Sequence, residues 1–254
     1  HGVERFAEAS SSLFRHFGMN NEQTQSAIPL LSAGVSALYE AADGALWIGY
    51  ANGAGASRYD RRSGAVTHFR QNPANPASVS GLGGETSVSA FLNDKRGQMW
   101  LGAYAADRWN GGNQGFTHFP VMQGQTVPVT AFVEDRFGTF WVGSKFGLTI
   151  LDRGTGRVQR FVNKPNDETS LGNNVINALL EDRAGRLWIA HEGGLDRYDA
   201  KTKQFQHFRA DAANPQSLLA SAVTCLHEDM QGRFWVGTRE IGRASCRERV
   251  SSPV

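Results

Sequence analysis

Short apolar stretches alternate along this chain with glycine-marked turns, and one pattern of them recurs. Its fullest copies read VINALLEDRAGRLWIAHEGGLDRYDAKTKQFQHF (Val175 to Phe208) and VSALYEAADGALWIGYANGAGASRYDRRSGAVTHF (Val35 to Phe69). Shorter copies run from Val88 to Phe119, from Val129 to Phe161 and from Val223 to Thr238. Each full copy predicts four strands, A to D. In strand A, Val175, Asn177 and Leu179 face one way and Ile176, Ala178 and Leu180 the other; the mostly apolar content of both faces predicts a strand buried on both sides. An E-D-x-x-G turn leads into strand B, x-L-W-I-G, where Gly97, Gly138, Gly185 and Gly232 allow a positive φ. Strand C (G-L-x-R-Y-D) sets Leu195 and Arg197 against Asp196 and Tyr198, and strand D follows as x-F-x-H-F, so C and D are expected to be the amphipathic outer pair. No segment keeps an i, i+3, i+4, i+7 apolar spacing with caps, which argues against a helix-containing repeat.

Tryptophan marks the period. Trp47, Trp100, Trp141, Trp188 and Trp235 are separated by 53, 41, 47 and 47 residues and all fall in strand B. Four strands per roughly 40 to 50 residues is the size of a β-propeller blade, an architecture that limits exposed sheet edges by packing short sheets side by side. The expected fold is therefore all-β, a propeller of about five four-stranded blades. Four are complete, and one is divided between the two ends of the chain. HGVERFAEASSSLFRHF (residues 1–17) resembles strands C and D alone, and residues 223–238 supply only A and B. The propeller is expected over 1–240, with repeats near 1–17, 35–69, 88–119, 129–161, 175–208 and 223–238. Beyond the last copy, 241–254 (IGRASCRERVSSPV) loses the alternation and resembles translated adapter sequence, so it is set aside as non-native.

Two copies depart from the pattern. In the first, Glu40-Ala41-Ala42-Asp43-Gly44 places the acid beside the glycine, predicting a different hairpin turn. In the second, DRWNGGNQG replaces the R-Y-D strand, which leaves that blade's outer edge in doubt.

Charge narrows the partners. The formal net charge is +2, and Arg243, Arg247 and Arg249 against Glu248 account for all of it. With no basic stripe elsewhere, a nucleic-acid partner is not expected. No run of eighteen apolar residues predicts a membrane-spanning helix. Cys225 and Cys246 form no C-x-x-C pair.

Most chemistry-bearing residues have a structural reading. His16, His68, His118 and His207 occupy the same strand-D position in different blades, too far apart to share an ion, so no metal is expected. The Glu-Asp pairs at 134–135, 181–182 and 228–229 recur at the same place in the hairpin turns of three copies, which favours turn stabilisation over acid–base catalysis. The glycine-rich stretches 81–85 and 110–115 lack the strand and helix that a phosphate cradle needs. The tryptophans read as packing between blades. No catalytic residue and no cofactor is expected.

The residues E-D-x-x-G-x-L-W-I-G, G-L-x-R-Y-D and F-x-H-F resemble the two-component regulator propeller repeat. The connecting segments HFRQNPANPASVSG, RFVNKPNDETSLGNN and HFRADAANPQSLLASA are similar to its N-P-x-S-L linkers. That resemblance implies the extracytoplasmic or periplasmic sensor region of a membrane-anchored, dimeric receptor, whose histidine kinase or diguanylate cyclase output lies outside these 254 residues. The ligand is expected on the face that carries the B-to-C hairpins and D-to-A linkers, where the blades differ. Candidate residues are Tyr50 and Asn52, Tyr104 and Asp107, Lys145 and Phe146, and His191 and Glu192. Aromatics beside polar groups suit a saccharide or a peptide signal. The alternatives are a lyase-type propeller enzyme using His191 and Glu192, or a protein-interaction platform.

Overall fold

A computed structural model describes residues 3–6, 14–17, 30–32, 34–112, 114–214 and 216–239. The segment read as non-native, 241–254, lies outside the described residues. The chain divides into two compact units, 1–126 and 127–254.

In the first unit, β1 (Val3–Phe6) and β2 (Phe14–Phe17) form a two-stranded antiparallel sheet. β3 (Val35–Glu40), β4 (Leu46–Tyr50), β5 (Ala54–Tyr59) and β6 (Val66–Phe69) form an antiparallel meander. The short β7 (Thr86–Ser87) pairs parallel with β5. β8 (Ala90–Asn93), β9 (Met99–Gly102), β10 (Ala106–Trp109) and β11 (Phe116–Phe119) form the next meander. In the second unit, β12 (Val129–Glu134), β13 (Phe140–Ser144), β14 (Gly147–Leu151) and β15 (Val158–Phe161) make one blade. β16 (Ile176–Glu181), β17 (Leu187–His191), β18 (Gly194–Asp199) and β19 (Gln204–Phe208) make another. β20 (Val223–Glu228) and β21 (Phe234–Thr238) form a hairpin of A and B strands. No helix occurs among the described residues, so the all-β, four-stranded organisation holds.

The doubtful outer edge of the second copy is intact: β10 pairs with β11 from Ala106–Phe119 to Trp109–Phe116. The first copy also keeps the common hairpin turn instead of a different one. Ala41 N–H donates to Ala45 O (2.9 Å) and Gly44 N–H to Ala41 O (2.8 Å), the bonds that Asp94–Gln98 and Gly97–Asp94 make in the second copy. Gly44 and Gly97 have φ of 80° and 76°. A left-handed glycine and two backbone bonds therefore define this turn, and the acid is an addition to it.

What the acid adds is a tie to tryptophan. Trp100, Trp141, Trp188 and Trp235 each donate Nε1–H to the aspartate six residues earlier, Asp94, Asp135, Asp182 and Asp229, at 2.8–3.0 Å. The other carboxylate oxygen caps turn N–H groups, as Asp135 does for Phe137 and Thr139. Three of the indoles cross to the neighbouring blade. Trp47 meets Phe91 and Trp109 (5.2 Å to the latter), Trp141 meets Tyr198 (5.0 Å), and Trp188 meets Phe234 (4.9 Å). Packing between blades is thus the role of Trp47, Trp141 and Trp188.

Burial differs from expectation in one respect. Strand B is the buried one, with β13 and β17 covered at every position, whereas β3 alternates between half-buried and exposed and in β16 only Ile176 is fully covered. The first residues of β18, including Asp196, are buried on both faces. Strands B and C are the central strands of a blade and have sheet neighbours on both edges, while strand A has one such edge free.

Strand A uses that edge. A bulge falls at its second position in β3, β12, β16 and β20, and a bulge re-aims a side chain out of the ladder. There Ser36 Oγ donates to Val88 O (2.6 Å), just ahead of β8, while Thr130 Oγ1 donates to Ile176 O (2.7 Å) and Asn177 Nδ2 to Val223 O (2.8 Å), each of these two reaching the A strand of the next blade.

Replacing Asp182 by Ala strands the buried Trp188 N–H and uncaps the turn N–H of Arg186. We expect a loss of about 2–3 kcal/mol in urea unfolding; an unchanged midpoint would show that the tie contributes nothing to the blade.

Candidate functional site

Three connections from strand D to the next strand A, 70–89, 162–175 and 209–222, are compact turns, and the first two are tied to a blade by a recurring latch. In each, a serine hydroxyl accepts a backbone N–H six residues earlier: Asn72 N–H to Ser78, Lys164 N–H to Ser170 and Asp211 N–H to Ser217, all 2.9 Å. Asn72, Asn75, Asp167, Asp211 and Asn214 cap the N–H two residues on, as Asx turns do.

The latch comes from strands C and D. Asp107 faces His118 across β10 and β11, and Asp196 faces His207 across β18 and β19. Both aspartates are fully buried. Asp107 Oδ2 accepts Ser80 N–H (2.6 Å), its Oδ1 meets His118 Nδ1 (2.7 Å), and His118 Nε2 reaches Pro76 O (2.9 Å). Asp196 repeats this with Gly172 N–H (2.7 Å), His207 Nδ1 (2.6 Å) and Glu168 O (2.9 Å). His191 Nε2 adds a second imidazole 3.0 Å from Asp196. The backbone of Gly172 lies so close to this trio that a Cβ there would stand 2.8 Å from Asp196 Oδ1.

The two latches have distinct electrostatics. Burial pushes the Asp107 carboxyl up, and hydrogen bonding to Asp107 raises the His118 imidazole, so the pair holds a proton more tightly than a free histidine. Burial also works to raise Asp196, but His191, His207 and the Gly172 N–H together hold it below the ordinary carboxylate value. In the first blade Ser57 replaces the aspartate opposite His68 (2.8 Å), and burial lowers that histidine. Among the described residues, no three His, Cys, Asp or Glu side chains are arranged to hold a metal ion.

In the first unit the latched linker forms one wall of a cleft of ≈ 400 Å³, whose other walls are the hairpin at Tyr104–Ala105 and the segment from His118 to Thr126. Its polar lining consists of the His118 imidazole and of amides and hydroxyls, including Gln71, Asn75, Ser78, Gln125 and Thr126, beside the Tyr104 ring. No Asp, Glu, Lys or Arg lines it, and Gln71 Oε1 is buried without a hydrogen-bond partner.

The eight sequence-selected residues separate into distinct environments. Tyr104 lines the cleft, and Asp107 lies inside the blade and holds the cleft wall through Ser80 and His118. Tyr50 is buried, its OH donating to Ser57 Oγ (3.0 Å), so it is not at a hairpin tip. His191 is likewise buried in its latch. Asn52 is exposed in a left-handed turn (φ 59°). Lys145 and Phe146 are exposed on the β13–β14 hairpin of the second unit. Glu192 is tied to Arg239 (2.7 Å) and Asn177 (3.2 Å). Sequence reasoning passed over His118 and the linker amides. The spacing that would have found the latch is eleven residues, common to Ser57–His68, Asp107–His118 and Asp196–His207.

The model of the two-component regulator propeller repeat matches residues 170–193 and 217–240. These two segments carry the two-component regulator propeller repeat. Solved structures extend the likeness. The extracellular domain of a hybrid two-component system from B. thetaiotaomicron aligns with TM-score 0.66 and 25% identity, covering 82% of this chain and 26% of its own. A second such domain from the same organism gives 0.60 and 18%, covering 89% and 34%. Virginiamycin B lyase from Staphylococcus aureus shares the fold at 0.58 and 13%, covering 80% and 62%. The repeat-bearing chain spans about a quarter to a third of the two extracellular domains. No curated protein matches it in sequence.

His118 is expected to titrate above the ordinary histidine value and His68 below it. The raised value means that the latch contributes its stability below pH about 6.5 and loses it as pH rises through the His118 pKa. Histidine ring shifts followed by NMR against pH should show this order, and Asp107→Ser should bring His118 down. A His118 that titrates at or below His68 would contradict the latch.

Proposed function

We propose that this chain is the ligand-sensing propeller region of a bacterial two-component or cyclic-di-GMP receptor. It faces the extracytoplasmic side and passes a binding event to an output module elsewhere in a membrane-anchored, dimeric parent. The similarity to extracellular domains of hybrid two-component systems supports the setting. The observation that carries ligand binding is the cleft beside Tyr104, open, lined by amides and hydroxyls with His118 as its one titratable side chain other than Tyr104, and held by a buried latch.

That lining selects the ligand class. Amides and hydroxyls satisfy a neutral polyhydroxylated molecule, and the tyrosine ring offers it an apolar face. A charged peptide terminus would find no fixed counter-charge there except His118. We therefore favour a neutral saccharide. A lyase-type activity centred on His191 lacks support, because that imidazole is 1% exposed and turned to Asp196.

Calorimetry against saccharide and peptide panels tests this reading. We expect saccharide heats that fall at least about tenfold in affinity in Tyr104→Ala, with the melting temperature unchanged. Heat from peptides alone, or saccharide binding indifferent to Tyr104, would overturn it.

A further inference from the structure

A second cavity in the first unit lies among the A-to-B and C-to-D turns. It has ≈ 310 Å³ and is framed by Ala42, Asp43, Trp47, Asn93, Met99 and Trp109, with Gly97 and Gly111 completing its wall. The other repeats explain why it exists. Beside the A-strand glutamate of each, an arginine enters from one of two places. It comes from the same blade's C-to-D turn where Arg61 meets Glu40 (2.8 Å) and Arg153 meets Glu134 (2.7 Å). It comes from the preceding blade's A-to-B turn where Arg136 meets Glu181 (2.9 Å). Arg183 enters the same way, its backbone N–H donating to Glu228 and its guanidinium to Met230 O (both 2.8 Å).

The second blade lacks both suppliers. Gly111 stands where the C-to-D arginines stand, and Ala42 where Arg136 and Arg183 stand. Asn93 takes the place of the glutamate, its Oδ1 accepting Ala42 N–H (3.1 Å). Three departures from the repeat thus converge on one space, whereas a single loss would leave the partner charge uncompensated.

The remaining walls still suit a guanidinium. Arg153 lies 4.9 Å from the Phe140 ring and reaches Gly138 O; the counterparts here are Met99 and Gly97. Trp47 and Trp109 add indole rings 5.2 Å apart, and Arg58 already lies 5.5 Å over Trp109 with its Nη2 on Asp43 (2.7 Å). Asp43 keeps half of its side-chain surface open. Aromatic faces, a carboxylate and a turn carbonyl form the environment in which a guanidinium is held by stacking and charge-assisted bonds.

We propose that this socket binds a guanidinium brought from outside the chain, an arginine side chain of a partner polypeptide. The site is separate from the Tyr104 cleft and does not depend on that cleft's ligand.

The test is a titration of the chain with Nα-acetyl-arginine methylamide, read from the indole N–H signals of Trp47 and Trp109. Saturable shifts are expected, and the citrulline analogue, which keeps the shape without the charge, should bind at least about tenfold more weakly. Asn93→Glu should tighten binding by about tenfold through one restored charge-assisted bond. Ala42→Arg, at an exposed position, should fill the socket from within and abolish binding while the melting temperature holds or rises. Absence of saturation in both the unaltered chain and Asn93→Glu would overturn the proposal, as would equal binding of citrulline or undiminished binding to Ala42→Arg.

Discussion

A four-stranded sheet of about 35 residues has two apolar faces and cannot cover either by itself. The strand-B indole is where this chain meets that constraint. At Trp141 and Trp188 the ring crosses to the neighbouring blade, and its N–H would be a stranded polar group in the interface without the carboxylate six residues earlier. One aspartate therefore performs two tasks, capping the A-to-B turn and freeing the ring to be buried. The first copy confirms the division of labour. With Ala41 in that place the turn survives on its backbone bonds, and Trp47 is retained by aromatic packing, including a stacked Phe69 at 5.3 Å.

The opposite ends of the strands apply the same economy to the linkers. A buried carboxylate is costly unless it is paired and hydrogen-bonded. Asp107 and Asp196 meet that condition by taking one linker N–H each together with one imidazole at Asp107 and two at Asp196, and the strand-D imidazole in turn takes a linker carbonyl. The charge inside the blade thus becomes a fastening for an otherwise irregular segment. Such a segment can then form a cleft wall without being mobile, as a binding surface on a repeat scaffold requires.

Repetition also makes departures interpretable. Where an arginine and its glutamate recur, their joint absence marks a place at which the chain stops supplying its own filling. The socket at Asn93 and the cleft at Tyr104 arise at opposite ends of the strands of one unit, from different losses of uniformity. A regular scaffold acquires specificity in this way, by leaving defined gaps in an otherwise filled pattern.

The residue pattern alone determined the all-β class, the four strands per repeat and the packing role of the tryptophans. These follow from alternation, turn glycines and period, which are local properties. It also placed Tyr104 on the variable face. It did not reveal that strand A is half-exposed and strand C buried, because burial depends on which edges and faces neighbouring sheets cover. Nor could it separate Tyr50, Asp107 and His191 from true rim residues, since a polar side chain at a strand end reads alike whether solvent or a buried partner receives it. The Asp–His latch joins residues eleven apart only through the register of strands C and D, and each cavity is bounded by segments distant in sequence. Those are facts of three-dimensional pairing, and the tertiary structure decided them.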